Sequence, residues 1–391
     1  MTDAAEGYDL LLKGGTVIDP ANGRRGRLDV AVKEGRVAAV ARDLPVQGSA
    51  EVLDTSGLFV VPGLIDLHTH VYEGVSFLGI EADDLCPRTG VTTVVDTGSA
   101  GWINYKGLER YVIEPSETRI FGYVNLSGVG LPSRRGELVH HDYLDAGECA
   151  ECVLRHPETA LGVKVRLYEG VAGTMDLRDV LKASLDAAKE CGKPLMIHIS
   201  GSDVALEDLL PPLRTGDVVT HCFHRIGAAS ILDGEGRIRP VVRDARERGI
   251  LFDVGHGVGS FAFRIARRAV AEGFLPDTIS TDIHTLCINY PVYDLPTTLS
   301  KFLGLGLSLE EVIERATIEP ARIIGIDSHL GHLSVGATAD IAVLELEEGR
   351  FSFFDVEHEK MVGPERLVCR ATIKDGKVWW RAGEDGQTAA G

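Results

Sequence analysis

The 391-residue sequence contains no unbroken run of 18 apolar residues, the stretch a membrane-crossing helix requires. Its first dozen residues hold Asp3, Glu6 and Asp9 but no lysine or arginine, so neither a membrane span nor a secretory signal is expected. Cysteine is sparse and odd in number, seven without framework spacing, which argues against a disulfide scaffold and for reduced thiols in a cytoplasm. Basic residues are in the minority. Lysine and arginine number 40 against 58 aspartates and glutamates, for a formal charge of −18. Such a surface repels phosphate backbones and anionic lipid, so no nucleic acid and no membrane is expected as a partner, and an acidic substrate would need a local basic site. What is present is the balance of a globular protein, 44% hydrophobic and 25% charged, on a chain long enough for two to three domains or for one large barrel with an addition.

The two ends differ from the middle. From Tyr8 to about Val61 the sequence reads as short strands and turns, with a hairpin at Glu34-Gly35. From His332 it reads the same way, with Asp375-Gly376 as a hairpin turn. Residues 1–61 and 332–391 are therefore expected to pair into one composite β-sandwich. Between them, over 62–331, apolar runs alternate with helical patterns. The candidate strands are 64–68, 91–96, 119–127, 161–167, 194–200, 217–222, 249–255 and 277–283. Helix-like segments separate several of them, among them one ending at Gly192 and a last one opening on a Ser308/Glu311 capping box and running through to Gly325. Eight strands and their helices over roughly 260 residues have the scale of a (β/α)8 barrel, an α/β fold of TIM type.

Six residues lie at the C-terminal ends of these strands: His68 and His70, Lys164, His198, His221 and Asp282. In such a barrel these ends open on one mouth. Side chains at i and i+2 of a strand share a face, so His68 and His70 can address one ion, and imidazole and carboxylate are ligands that zinc takes in catalytic sites. A lone strand-end histidine is commonly a hydrogen-bonded bystander, and a lone aspartate often caps the next helix. Four histidines and an aspartate in this order argue for a metal site. Lys164 sits in LGVKVRL among apolar neighbours. Burial beside cations favours its neutral amine, which can take up CO2 as a carbamate whose two oxygens bridge two metals. The plainer reading is a buried lysine paired with a carboxylate.

GLIDLHTH, the Lys164 strand, His198, His221 and STDIH resemble the signature of the amidohydrolase superfamily, in its binuclear subtype with a carboxylated lysine. HLSVGATADIAVLE and ATIEPARIIGI resemble that superfamily's return to the sandwich and its last barrel helix. The resemblance covers nearly the whole chain. It implies two divalent ions, Zn2+, one on His68, His70 and Asp282 and the other on His198 and His221, bridged by the Lys164 carbamate and a hydroxide. It further implies attack of that hydroxide on an ester or amide carbonyl, with Asp282 passing the proton to the leaving group, and a homo-oligomer.

Within the superfamily, dihydroorotases carry an arginine two places after the second histidine of H-x-H. Here that place is Tyr72. DLHTHVYEG, THCFH, FDVGHGVGSFAF and STDIHTLCINYPVYDLPTT are closer to a dihydroorotase-like branch that acts as deacetylases, which implies small acetylated hydroxy or amino acids bearing a carboxylate. A cyclic amidase of dihydroorotase or hydantoinase type is the alternative. Non-catalytic relatives typically lack ligands, and all six positions are filled here. Arg166 shares the strand face of Lys164 and either grips a substrate carboxylate or neutralises the carbamate or Asp96. Further substrate contacts are expected from His256, His284 and Asn289. Tyr72 is read as a mouth hydroxyl or an aromatic wall, and His224 as a loop residue or a support for the ligands. Cys149, Cys152 and Cys222 are read as packing.

Overall fold

The computed structural model describes residues 7–225 and 227–383. Seven parallel strands form one curled sheet in sequential order: β1 (Leu64–Thr69), β2 (Val91–Gly101), β3 (Arg119–Asn125), β4 (Ala160–Arg166), β5 (Leu195–His198), β6 (Val218–Thr220) and β7 (Leu251–Asp253). Both faces of these strands are covered, and β1 and β2 are buried along their whole length, as expected of parallel strands under crossover helices. The helix Leu177–Glu190 shows how. Its N-cap Asp176 accepts from the Arg178 amide, and Leu177, Val180, Leu181, Ser184, Ala187 and Ala188 form the buried stripe, a helical spacing that presents one apolar face to the sheet.

The eighth expected strand, 277–283, is an extended segment and not a regular strand. It still closes the barrel, bridging Asp253 to Thr278 on one side and Thr69 to Ile283 on the other. Its carbonyls accept the amides of Val254, His256, Gly257 and His70, and its side chains add to them. Thr278 and Ser280 each donate a hydroxyl to the Asp253 carboxylate, both at 2.6 Å, and the Thr281 amide donates to Asp66 at 3.0 Å. The last expected helix also divides, into Leu309–Glu314 and Ile318–Ile324. The capping box is present. The break arises because the carbonyls of Arg315 and Ala316 turn out of the helix to accept from the barrel amides of Ile279 and Ile65.

Strands from both chain ends share a six-stranded sheet, in the order 377–381, 360–374, 341–354, 59–62, 16–19, 24–27. A four-stranded sheet, 36–41, 29–33, 10–13, 51–54, packs near it, and Leu10, Val30 and Leu53 meet Val60, Ile341 and Ile373 in a small core between them. Glu34-Gly35 and Asp375-Gly376 are turns with positive φ at both residues, the hairpin geometry their sequence suggests. The strand 59–62 runs straight into β1, so this sheet fixes the entry to the barrel.

Candidate functional site

His68, His70, Lys164, His198, His221 and Asp282 converge on one cavity of about 370 Å3 at the C-terminal ends of the barrel strands. His68 Nε2 and His70 Nε2 lie 3.5 and 3.2 Å from Asp282 Oδ1. The His221 ring centre is 5.0 Å from that of His68 and 4.1 Å from that of His198. His221 and Asp282 have φ of +71° and +49°, an unfavourable region for residues with a Cβ, which clusters at functional sites.

Each imidazole is oriented by a partner behind it. His221 Nδ1 donates to the Gly255 carbonyl at 2.7 Å, and His198 Nε2 donates to the Ser200 carbonyl at 2.9 Å. His68 Nδ1 donates to Thr220 Oγ1 at 2.8 Å, and that hydroxyl donates onward to Asp253 at 2.7 Å. His70 Nδ1 meets Ser99 Oγ at 2.8 Å. The carbonyl partners, and the Thr220 hydroxyl already committed to Asp253, fix the tautomers of His221, His198 and His68 and leave their other ring nitrogen as a lone pair. Asp96 takes no part in the cavity directly. It accepts the amides of Val71 and Ser99, at 2.9 and 2.8 Å, and so pins the turn that carries His70.

Burial keeps these imidazoles neutral. It holds His68, His198 and His221 well below the usual histidine value, with the nearby lysine adding to the effect, and it brings His70 down to about 4. Burial also raises Asp282 to about 6 and lowers Lys164 to about 7. Neutral His68 thus points an acceptor nitrogen at an acceptor oxygen of Asp282 with no proton between them. His221 Nε2 and Asp282 Oδ1 are both buried and without a hydrogen bond among the described residues. Buried polar atoms are ordinarily satisfied, and bound cations would satisfy these. The atoms of His68, His70 and Asp282 lie within 4.8 Å of one another, a cluster able to hold a metal ion.

The chain is similar to a deacetylase of Agrobacterium fabrum, 38% identical over 315 residues, 80% of this chain and 77% of the relative. The chain belongs to the amidohydrolase superfamily. The amidohydrolase family profile itself matches residues 301–379. Two crystal structures cover the chain almost end to end. An adenine deaminase has a TM-score of 0.87 and 30% identity over 95% of this chain and 99% of its own. A dihydroorotase has a TM-score of 0.86 and 32% identity over 94% and 97%. As an amidohydrolase with a deacetylase relative, the protein is a hydrolase, and its curled parallel sheet is a TIM-type barrel.

The remaining expected contacts divide. Arg166 lines the cavity, but its partner is neither Asp96 nor the Lys164 amine: Nε donates to Glu137 Oε1 at 2.7 Å and Nη2 to Glu137 Oε2. His284 lines the cavity, its ring 6.1 Å from that of His70. Tyr72, His256 and Asn289 are not among the lining residues. Tyr72 is in the core, its hydroxyl donating to the Asn104 carbonyl at 3.3 Å. His256 is buried behind the mouth, stacked on Phe261 and bonded to Lys301 at 2.7 Å. Asn289 is exposed on a surface turn. His224 is buried on the Ala229 carbonyl at 2.9 Å, and all seven cysteines are buried free thiols. Lining residues that the sequence reading omitted include Tyr168, Ser200, Phe77 and Leu286. Tyr168 continues the alternate positions of Lys164 and Arg166, so the strand period points to it. The Gly-rich loop that carries Glu137 gives no such signal.

Proposed function

We propose that this amidohydrolase removes acetyl groups from small hydroxy or amino acids that bear a carboxylate. The observation that carries the proposal is the cluster of neutral imidazoles around Asp282 at the barrel mouth, in which His221 Nε2 and Asp282 Oδ1 are buried without a hydrogen bond among the described residues. In this reading His68, His70 and Asp282 would hold one divalent ion and His198 and His221 a second, with carboxylated Lys164 as a further ligand. Zn2+ suits this donor set of nitrogen and carboxylate oxygen. Bound there, the ions would supply an acidified water at neutral pH and polarise the acyl carbonyl.

The chain's own groups do the rest. Asp282 sits between the two first histidines and takes the proton of the attacking water, then returns it to the leaving oxygen or nitrogen. Arg166, the strand neighbour of His198, meets the substrate carboxylate, and His284 stands beside the leaving group. Phe77, Leu78 and Leu286 form an apolar wall that limits water around the reacting centre. The deacetylase name of the Agrobacterium fabrum relative supports acetyl transfer to water over ring opening. The dihydroorotase structure keeps a cyclic amidase as the competing reading.

A paired assay on zinc-loaded protein decides between them. One arm holds O-acetyl hydroxy acids and N-acetyl amino acids of both hands, the other dihydroorotate, hydantoins and dihydropyrimidines. Turnover confined to the acetyl arm is expected. Turnover confined to the ring arm would replace this reading with the cyclic amidase.

A further inference from the structure

Arg166 does not present an open guanidinium to the cavity. Glu137 holds it on two nitrogens, and the side chains of the pair are 14% and 2% exposed. The Tyr168 ring lies 5.4 Å from the guanidinium carbon. Nη1 has no hydrogen bond among the described residues.

Glu137 itself is firmly placed. Its backbone carbonyl accepts the Ser127 hydroxyl at 2.6 Å, and the next amide, Leu138, donates to Val171 at 3.1 Å. The preceding Gly136 has φ +83°, and a Cβ there would fall 2.4 Å from the Gly170 carbonyl oxygen. The loop after β3 is thus seated on the segment that follows β4, with a carboxylate driven into the base of Arg166. Across the β4–β5 ladder Arg166 stands opposite His198, so it borders the histidine cluster directly.

We propose that Glu137 sets the substrate charge this site accepts. It occupies the Nε/Nη2 edge of Arg166 and offsets its charge, leaving the outer Nη1/Nη2 edge for one carboxylate and no net positive charge for a second. This inference rests on the reading that Arg166 grips the substrate carboxylate. A free guanidinium would bind a carboxylate two-pronged and strongly. One already paired with a buried carboxylate keeps its outer N–H groups for a ligand but offers them in a locally neutral field. A monoanionic acid is then held in position yet leaves readily once it becomes product. A dianionic acid brings a second charge close to the buried Glu137 carboxylate, where like charges repel.

The test compares zinc-loaded native protein with E137Q, E137D and R166Q on three probes of similar size: N-acetylalanine, N-acetylaspartate and N-acetylalanine amide. Alanine and aspartate binding is followed by calorimetry alongside turnover. In E137Q the kcat/KM of the dianionic relative to the monoanionic acid is expected to rise about tenfold, with tighter binding of both product acids. E137D keeps the charge and is expected to keep the native preference. A dianion-to-monoanion ratio in E137Q within about twofold of native would overturn the proposal. R166Q tests the underlying reading separately: if it lowers turnover of the acid and the neutral amide equally, Arg166 does not grip the carboxylate and the premise fails, whatever Glu137 does. Should E137Q fail to fold, inhibition of the native enzyme decides, with propionate expected to outcompete succinate and the reverse order overturning the proposal.

Discussion

The tightest constraint at the level of single residues lies where Gly257 meets Asp282. Gly257 has φ +51°, and a Cβ built on it would lie 2.2 Å from Asp282 Oδ2. Nothing larger than hydrogen fits between that backbone and the carboxylate. G257A is therefore expected to displace Asp282, weakening metal binding by about 10- to 100-fold while the barrel stays folded. Zinc competition against a chromogenic chelator, with circular dichroism melting as the control, measures both, and native metal affinity in G257A would show that Asp282 has room to move. The six converging residues were legible in the sequence because strand ends are readable from apolar runs, and a barrel gathers all such ends at one mouth. Glu137 was not legible. Its position depends on how a Gly-rich loop folds over β4, which no local period encodes. His256 and Tyr72 misled for a related reason: both follow strand-end motifs closely, yet their rings turn into the core, one to Lys301 and the other to Asn104.

At the scale of elements, the loop 255–260 is held from behind by the helix Leu295–Gly304. Its Lys301, fully buried, donates to His256 Nε2 at 2.7 Å and to the Pro291 carbonyl at 2.8 Å. Gly255 of that loop accepts from His221, so helix, loop and His221 form one mechanical unit. Burial lowers Lys301 to about 7, against the opposing pull of Asp355 and Asp294. The sign follows from which state holds the proton. Between pH 7 and the unfolded value of 10.5, the unfolded chain keeps a proton that the folded chain has released, so folded stability rises with pH across that window. Relative to K301M, the native protein should gain up to about 1.4 kcal/mol per pH unit above pH 7. Urea unfolding of both proteins at pH 7 and pH 9 checks this, and an identical offset at the two pH values would mean that Lys301 stays charged throughout. Two elements were misread from sequence for one physical reason. The eighth strand and the last helix both appear regular in their residue pattern, yet side-chain carboxylates and barrel amides compete for their backbone partners and win locally.

Taken whole, the molecule depends on a sheet that neither chain end completes alone. The strand 59–62 lies between 16–19 and 341–354, and Val60 shares its core with Ile341, Val343 and Ile373. A chain ending at residue 340 keeps every barrel strand and all six converging residues but leaves one side of 59–62 unpaired and its core open. Such a chain is expected to be insoluble or rapidly digested by trypsin, in contrast to the full protein. A soluble, protease-resistant product that binds zinc would show the barrel to be self-sufficient. Two of the three tryptophans, Trp379 and Trp380, lie in the final strand, so intrinsic fluorescence reports its docking during refolding of the full chain.

That shared sheet also sets a schedule. A ribosome releases the N-terminal end first, so 59–62 emerges with its partner 16–19 already made and its other neighbour still unwritten. Every strand of the barrel must be translated before residue 341 exists to close the gap. For most of its synthesis the nascent chain carries an exposed β-edge rich in valine directly upstream of its first histidines, the kind of surface that recruits other chains. The sheet that completes the finished protein is therefore expected to leave the growing one open to other chains until its last strands arrive.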